Sequence, residues 1–287
     1  MLNEFEFEYQ GEKVYTGMKM PDQSFPSLSF QPFPAPKVLS LEEIADRVKN
    51  PNLLKVEQEW ANEVEWFNQG SKSSCNAYMI SWMMAVRKWR QTGLKQRFSP
   101  EWLYSKINGG KDQGSMLDDG MVEAADEGFC PFKPEFYEKY SQRQFNMEQK
   151  RWAAQNSKDF RFQECYKAPK DSFEKMMLSL YSCLAGGGVI GMAVHVGNQY
   201  MRSGKTAGYD RGPGNHAVAG VGLVLKTPNP RSIEDIQIVS PQSWGARFAN
   251  KGFTNIDAKL LNQPGRYHAM YCVSTVSAPV GEFDFLN

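Results

Sequence analysis

The chain has 287 residues, 41% hydrophobic and 13% aromatic, enough to bury one large core or two lobes sharing a cleft. A formal net charge of +1 and a pI near 7.6 leave no basic field for nucleic acid and no acidic tail. No stretch approaches the length of a membrane span, and Met1 is followed by Glu4, Glu6 and Glu8 rather than an apolar signal run. A soluble, unsecreted protein is therefore expected, cytoplasmic or part of a larger assembly such as a virion, with no membrane partner.

Residues 1–39 differ from the rest: mixed charge to Lys19, then Phe30-Gln31-Pro32-Phe33-Pro34-Ala35-Pro36, a composition that favours extended, polyproline-like backbone. An arm lying on the protein's own surface is expected, with a protein partner as the alternative. Ser40-Leu41-Glu42-Glu43 matches a capping box and opens a short helix. A second helix follows, with Leu53, Val56, Trp60 and Val64 as its apolar stripe.

Asn68-Gln69-Gly70-Ser71-Lys72-Ser73-Ser74-Cys75 reads as a tight loop delivering a cysteine to a helix start. Tyr78, Met79, Trp82, Val86 and Trp89 recur three and four apart, while Arg87, Lys88, Arg90 and Gln91 fall mostly on the other side. Ser73 or Ser74 can cap the first amides and Gly93 can close the far end. Ser99-Pro100-Glu101 opens a further helix through Ile107. A Gly-rich loop, Lys111 to Gly114, leads to Ser115, which can cap a helix running to Asp126.

The segment 133–170, rich in charge and aromatics, reads as a solvated connection. Asp171 caps a helix carrying Phe173, Met176, Met177, Leu180 and Leu184. Gly186-Gly187-Gly188 follows a helix and precedes a strand, so it reads as a turn rather than a phosphate loop. Strand-like runs then cover Val189 to Val194, Ala217 to Leu225, Ile236 to Ser240 and Tyr267 to Val276. The expected architecture is α+β: the arm at 1–39, a mainly helical lobe at 40–185 and an antiparallel β lobe at 186–287.

A thiol at a helix N-terminus meets unpaired N–H groups and the positive end of the helix dipole, which favours the thiolate; a buried structural cysteine is the competing account of Cys75. The five cysteines are odd in number, scattered and without a Cys-x-x-Cys pair, so neither a disulfide framework nor a metal site is expected. No cofactor is expected either. A reactive cysteine needs a base, and the histidines are His195, His216 and His268. His216 follows the turn Gly212-Pro213-Gly214-Asn215 at the start of a strand, whereas His195 and His268 sit within strand patterns.

Three motifs in order resemble the papain-like cysteine peptidases: Asn68 to Cys75 as the oxyanion-glutamine and nucleophile loop, Asn215 to Gly222 as the histidine strand, and Gln242-Ser243-Trp244-Gly245 as the third motif. The resemblance spans about 66–276. Phe98 to Tyr104 and Gln113-Gly114-Ser115 are similar to the family's following helix and its substrate-pairing strand. The resemblance implies a Cys75 thiolate and His216 imidazolium attacking a peptide or protein substrate, with an acyl-enzyme. It also implies that Gln69 donates to the oxyanion, that Gln242 orients the imidazole and that Trp244 shields that bond, with Gln113, Gly114 and Ser115 binding substrate.

Departures accompany it. Gln242 stands where the family usually has Asn, Asn76 where it has Trp, and Lys72 where it has a disulfide cysteine; residues 1–39 lack the inhibitory propeptide pattern. Two other functions remain open: a papain-like fold serving as a structural or binding component of an assembly, and a transamidase or cell-wall peptide hydrolase with the same thiol.

Overall fold

The computed structural model describes residues 5–9, 12–16, 18–19, 37–49, 55–169, 172–203, 214–262 and 270–277. The arm begins with β1 (Phe5–Tyr9) and β2 (Glu12–Thr16), which pair antiparallel, followed by β3 (Met18–Lys19). The Pro-rich stretch Phe30 to Pro36, Asp171 and His268 lie outside the described residues.

Helix α1 (Leu41–Val48) starts as expected. Ser40 Oγ accepts from Glu43 N at 3.2 Å, and Glu43 Oε2 accepts from Ser40 N at 2.7 Å. The next helix is shorter than expected: α2 (Val56–Glu59) ends at Trp60, and Val64 begins a separate 3-10 turn. Trp60 and Val64 are still buried together. Trp60 meets Trp82 edge-on at 5.8 Å, and Phe67 stacks on Trp82 at 3.6 Å.

Helix α3 (Cys75–Thr92) is the centre of the molecule, closed by Gly93 at φ +77°, whose N–H donates to Trp89 O at 2.7 Å. Its expected polar side is only partly solvated, with Gln91 exposed and Arg87 and Arg90 half-buried. Arg90 donates to the carbonyls of Gly188 (2.9 Å) and Val221 (2.5 Å), Gln91 exchanges two bonds with Val276, and Lys88 is buried. Burial lowers the Arg90 pKa to about 10, so the guanidinium stays charged and ties the helix to the backbone at Gly188 and Val221.

Helix α4 (Pro100–Ile107) has Pro at its first position, but Ser99 does not cap it; its Oγ donates to Pro131 O and accepts from Lys133 N. Strand β4 (Ser115–Met116) precedes α5 (Leu117–Asp126), and Ser115 does not cap that helix either. Segment 133–170 is not a solvated connection. It contains α6 (Met147–Ser157) and a small aromatic core in which Phe145 meets Trp102 at 5.2 Å and Phe136 at 5.0 Å. Strand β5 (Arg161–Lys167) follows.

The remaining elements are α7 (Phe173–Ala185), capped by Ser172, β6 (Val189–Val196), α8 (Asn198–Ser203), β7 (Gly214–Gly220), β8 (Gly222–Leu225), β9 (Ile236–Pro241), β10 (Phe253–Asp257), α9 (Ala258–Leu261) and β11 (Met270–Ser277). They form two antiparallel sheets, ordered β5-β11-β6-β7 and β10-β9-β8. The run Ala217 to Leu225 is thus two strands in two sheets, parting at Val221. A Cβ at Gly220 would stand 2.5 Å from Ile190 Cγ1, so glycine permits the close approach there.

One core surrounds α3; a second joins α7, Leu39 and Ile44 to the strands around Trp244 and Phe248. The fold is mixed α+β, with α3 packed against antiparallel sheet. Strand β3 pairs in parallel with β4, Met18 opposite Ser115 and Lys19 opposite Met116, and also touches β7. Among the described residues no helix is long and apolar enough to cross a membrane.

Candidate active site

The loop before α3 is built by local bonds. Asn68 Oδ1 accepts from Gly70 N at 3.1 Å, and Gly70 takes φ +57°, where a side chain would strain the backbone. Gln69 N donates to Ser243 O at 2.8 Å, Gln69 Nε2 donates to Lys72 O at 2.6 Å, and Ser243 Oγ donates to Gln69 Oε1 at 2.5 Å. The first and third sequence motifs are thereby locked together. Glu65 adds a second tie through Ala246 N at 2.9 Å. Gly245 beside it has no room for a Cβ, which would stand 2.8 Å from Glu65 Oε2.

Cys75 opens α3 and is completely buried. Ser74 occupies the N-cap position without capping, contrary to expectation, and its Oγ has no hydrogen-bond partner; Ser73 instead gives its N–H to Asp112 Oδ1 at 3.0 Å. Ser74 thus gives the first turn no cap, and the positive end of the helix dipole lies at Cys75.

His216 is the third residue of β7, the strand packed along α3. It is completely buried, and its ring stacks on Trp244 at 4.2 Å with 10° between planes; Phe248 in turn packs edge-on against Trp244 at 4.7 Å. Burial depresses the imidazole pKa to about 3, and the nearby Gln242 amide works against that shift. Neither ring nitrogen has a hydrogen-bond partner of good geometry. His195 lies opposite Asn215 on the adjacent strand β6, one register position from the Val194–His216 pair.

Gln242 reaches the base of this site. Its Nε2 donates to Ser240 Oγ and Thr254 Oγ1, both at 3.0 Å, and its Oε1 accepts from Tyr200 OH at 2.9 Å. Gln113, Gly114 and Ser115 sit where α4 and α5 meet. Gly114 N donates to Tyr104 OH at 3.0 Å, and Tyr104 OH donates to Asp112 Oδ1 at 2.7 Å, the same oxygen that holds Ser73. Asn76, next to the cysteine, donates through Nδ2 to Ser115 Oγ (3.1 Å) and Met116 O (2.6 Å). The segment at 113–116 is thus anchored to α3 from two sides.

Sequence reasoning singled out Gln69, Cys75, His216, Gln242 and Trp244 but missed Tyr200, Tyr104, Asp112 and Ser243 as supports. Tyr104 and Asp112 carried a local signal, flanking the Gly-rich loop; Tyr200, forty-two residues from the amide it binds, carried none. Among the described residues no cluster of metal-ligating side chains occurs.

No family model matches the sequence, and no curated protein matches it. Solved structures do. Xylellain, a cysteine protease from Xylella fastidiosa, is 18% identical over 73% of this chain and 82% of its own, with a TM-score of 0.53. The cysteine protease and lectin-like domains of Cwp84, a surface layer associated protein of Clostridium difficile, are 20% identical over 74% of this chain and 49% of theirs, with a TM-score of 0.54. The ragweed pollen allergen Amb a 11 cysteine protease, in its proform, is 14% identical over 77% of this chain and 64% of its own, with a TM-score of 0.51. At such identities the likeness establishes the fold, which is that of the papain-like cysteine proteases.

Proposed function

We propose that this papain-like fold works as a cysteine peptidase, with Cys75 as nucleophile and His216 as general base and then acid. The observation that supports it most is the joining of the Gln69 loop to Ser243 of the third motif by two hydrogen bonds, Gln69 N to Ser243 O and Ser243 Oγ to Gln69 Oε1. The Gln69 side-chain amide, which also donates to the Lys72 carbonyl, is the group assigned to the oxyanion, with the Cys75 backbone N–H as its companion.

Burial by itself disfavours the His216 imidazolium, so the charged ring depends on a negative charge facing it, which the assignment gives to the Cys75 thiolate. With the thiol proton passed to the imidazole, the sulfur attacks a peptide carbonyl, and the C–S bond forms as the carbonyl oxygen gains charge. The imidazolium then gives that proton to the departing amine, and water repeats the sequence on the acyl-enzyme to release an acid. The two sites titrate as a coupled pair in which the forming thiolate supports the forming imidazolium. Trp244, stacked on the ring, keeps water off this exchange.

Strand β3 occupies the edge of β4, the segment assigned to substrate pairing, so an extended peptide has to displace it. The test is hydrolysis of a mixed peptide library by the wild-type chain and by Cys75→Ala. Cleavage lost in the variant supports the assignment, and equal cleavage by both sinks it. Adding a primary amine separates hydrolysis from transfer, since a transferase yields a new amide where a peptidase yields an acid.

A further inference from the structure

The side chain at 242 is one methylene longer than the Asn that the resemblance leads one to expect, which by itself would displace the amide by about 1.5 Å. The structure holds this longer side chain at both ends. Nε2 donates to Ser240 Oγ and Thr254 Oγ1, both at 3.0 Å, with the Ser240 carbonyl a more distant acceptor at 3.4 Å. The opposite end, Oε1, takes the Tyr200 hydroxyl, and the backbone is pinned by Gln242 N donating to Gly252 O at 2.8 Å and Trp82 Nε1 donating to Gln242 O at 3.3 Å. Every one of these groups is buried: Tyr200 and Gln242 are each 1% exposed, Ser240 0% and Thr254 4%.

An amide oxygen has two lone pairs, and Tyr200 uses one. His216, also fully buried, has both ring nitrogens unpartnered and lies beside this same amide. We propose that Tyr200 is a positioning residue that acts through Gln242: its hydroxyl, opposed by Ser240 and Thr254, fixes the amide so that the second lone pair of Oε1 is presented to the His216 ring N–H. The inference rests on the peptidase assignment above. Burial pushes the Tyr200 phenol well up from its usual range, so it remains a donor at every working pH. Shortening residue 242 to Asn withdraws the amide from all three partners at once, so the residue common in the family is the wrong one in this cradle.

The experiment uses the full chain, with Tyr200→Phe and Gln242→Asn compared with wild type. Two quantities are read: the pH midpoint of Cys75 alkylation by iodoacetamide, and kcat and KM on a cleaved peptide. With the cradle in place the wild-type midpoint lies well below that of a free thiol, near 8.5. Tyr200→Phe is expected to move it upward and to lower kcat about tenfold with KM within about twofold, as loss of orientation does. Gln242→Asn is expected to lower kcat at least as far. A role confined to packing would change stability and leave the midpoint alone. A Tyr200→Phe chain with the wild-type midpoint overturns the proposal while leaving the peptidase assignment standing. A wild-type chain that labels like an ordinary thiol and cleaves nothing overturns both. Should Tyr200→Phe fail to fold, Thr254→Val removes the opposing acceptor and is scored in the same way.

Discussion

At His216 burial and chemistry pull in opposite directions. The ring is dry, stacked on Trp244, and its pKa falls from 6.5 to about 3, so the folded chain refuses a proton that the unfolded chain accepts. Stability is therefore complete above pH 6.5 and declines as pH falls toward 3, by up to about 1.4 kcal/mol per unit across that window. Thermal denaturation followed from pH 7 to 3.5 checks this. The wild-type midpoint should fall more steeply than that of His216→Gln, which carries no titrating ring, and parallel curves would show that the ring is wetter than its surroundings indicate. Glu101 sets a smaller opposing trend: buried beneath Tyr78, its carboxyl is raised to about 7, so stability lost through it grows as pH rises from 4.5 through 7. The comparison of His216→Gln with wild type cancels that contribution.

Between elements, the joint that matters most to the site is α3 against β4. Asn76 makes it with two bonds from a single Nδ2, and its Oδ1 is left without a partner, so the side chain serves the strand rather than its own satisfaction. Helix α5 comes close on the other side, because a Cβ at Gly120 would stand 2.8 Å from Asn76 Nδ2 and 2.7 Å from Ile80 Cδ1. Asn76→Ala should cost about 1–3 kcal/mol, since Met116 O and Ser115 Oγ lose a buried donor. Asn76→Trp should cost more, because α5 leaves no room for an indole. Urea unfolding midpoints of the two variants give the order directly; an Asn76→Trp chain as stable as Asn76→Ala would show that α5 yields. Asn76 was visible in the sequence only as a departure from a family pattern, and its partner strand gave no sign of which neighbour it needed.

In the whole molecule, the arm spans both sides of the proposed cleft: β3 pairs with β4 on one side and touches β7, the strand of His216, on the other. A chain lacking residues 1–36 keeps the Ser40 capping box of α1 and should cleave peptides faster than the full chain, through a lower KM. Initial rates over a range of peptide concentration test this, and equal KM values for the two chains would remove β3 from the substrate's path. Composition left open where the arm docks, because a ladder depends on which edge the fold leaves open, and no local pattern in residues 18–19 encodes that edge.

Periodicity and turn chemistry act within a few residues, and these the sequence determined by itself: the helix from Cys75 to Gly93, the Ser40 capping box, the glycine turn at 186–188, the strand of His216 and the order of the three motifs. Interactions between distant segments required the folded chain. Only there did Arg90 of α3 become a half-buried clamp, 161–167 a strand of the main sheet, Ser74 an uncapped helix start and Tyr200 the partner of Gln242. A charged or hydroxylated side chain reads as solvent-facing until the backbone carbonyl that will take its hydrogen is brought beside it. That meeting of separate segments is supplied by tertiary packing alone.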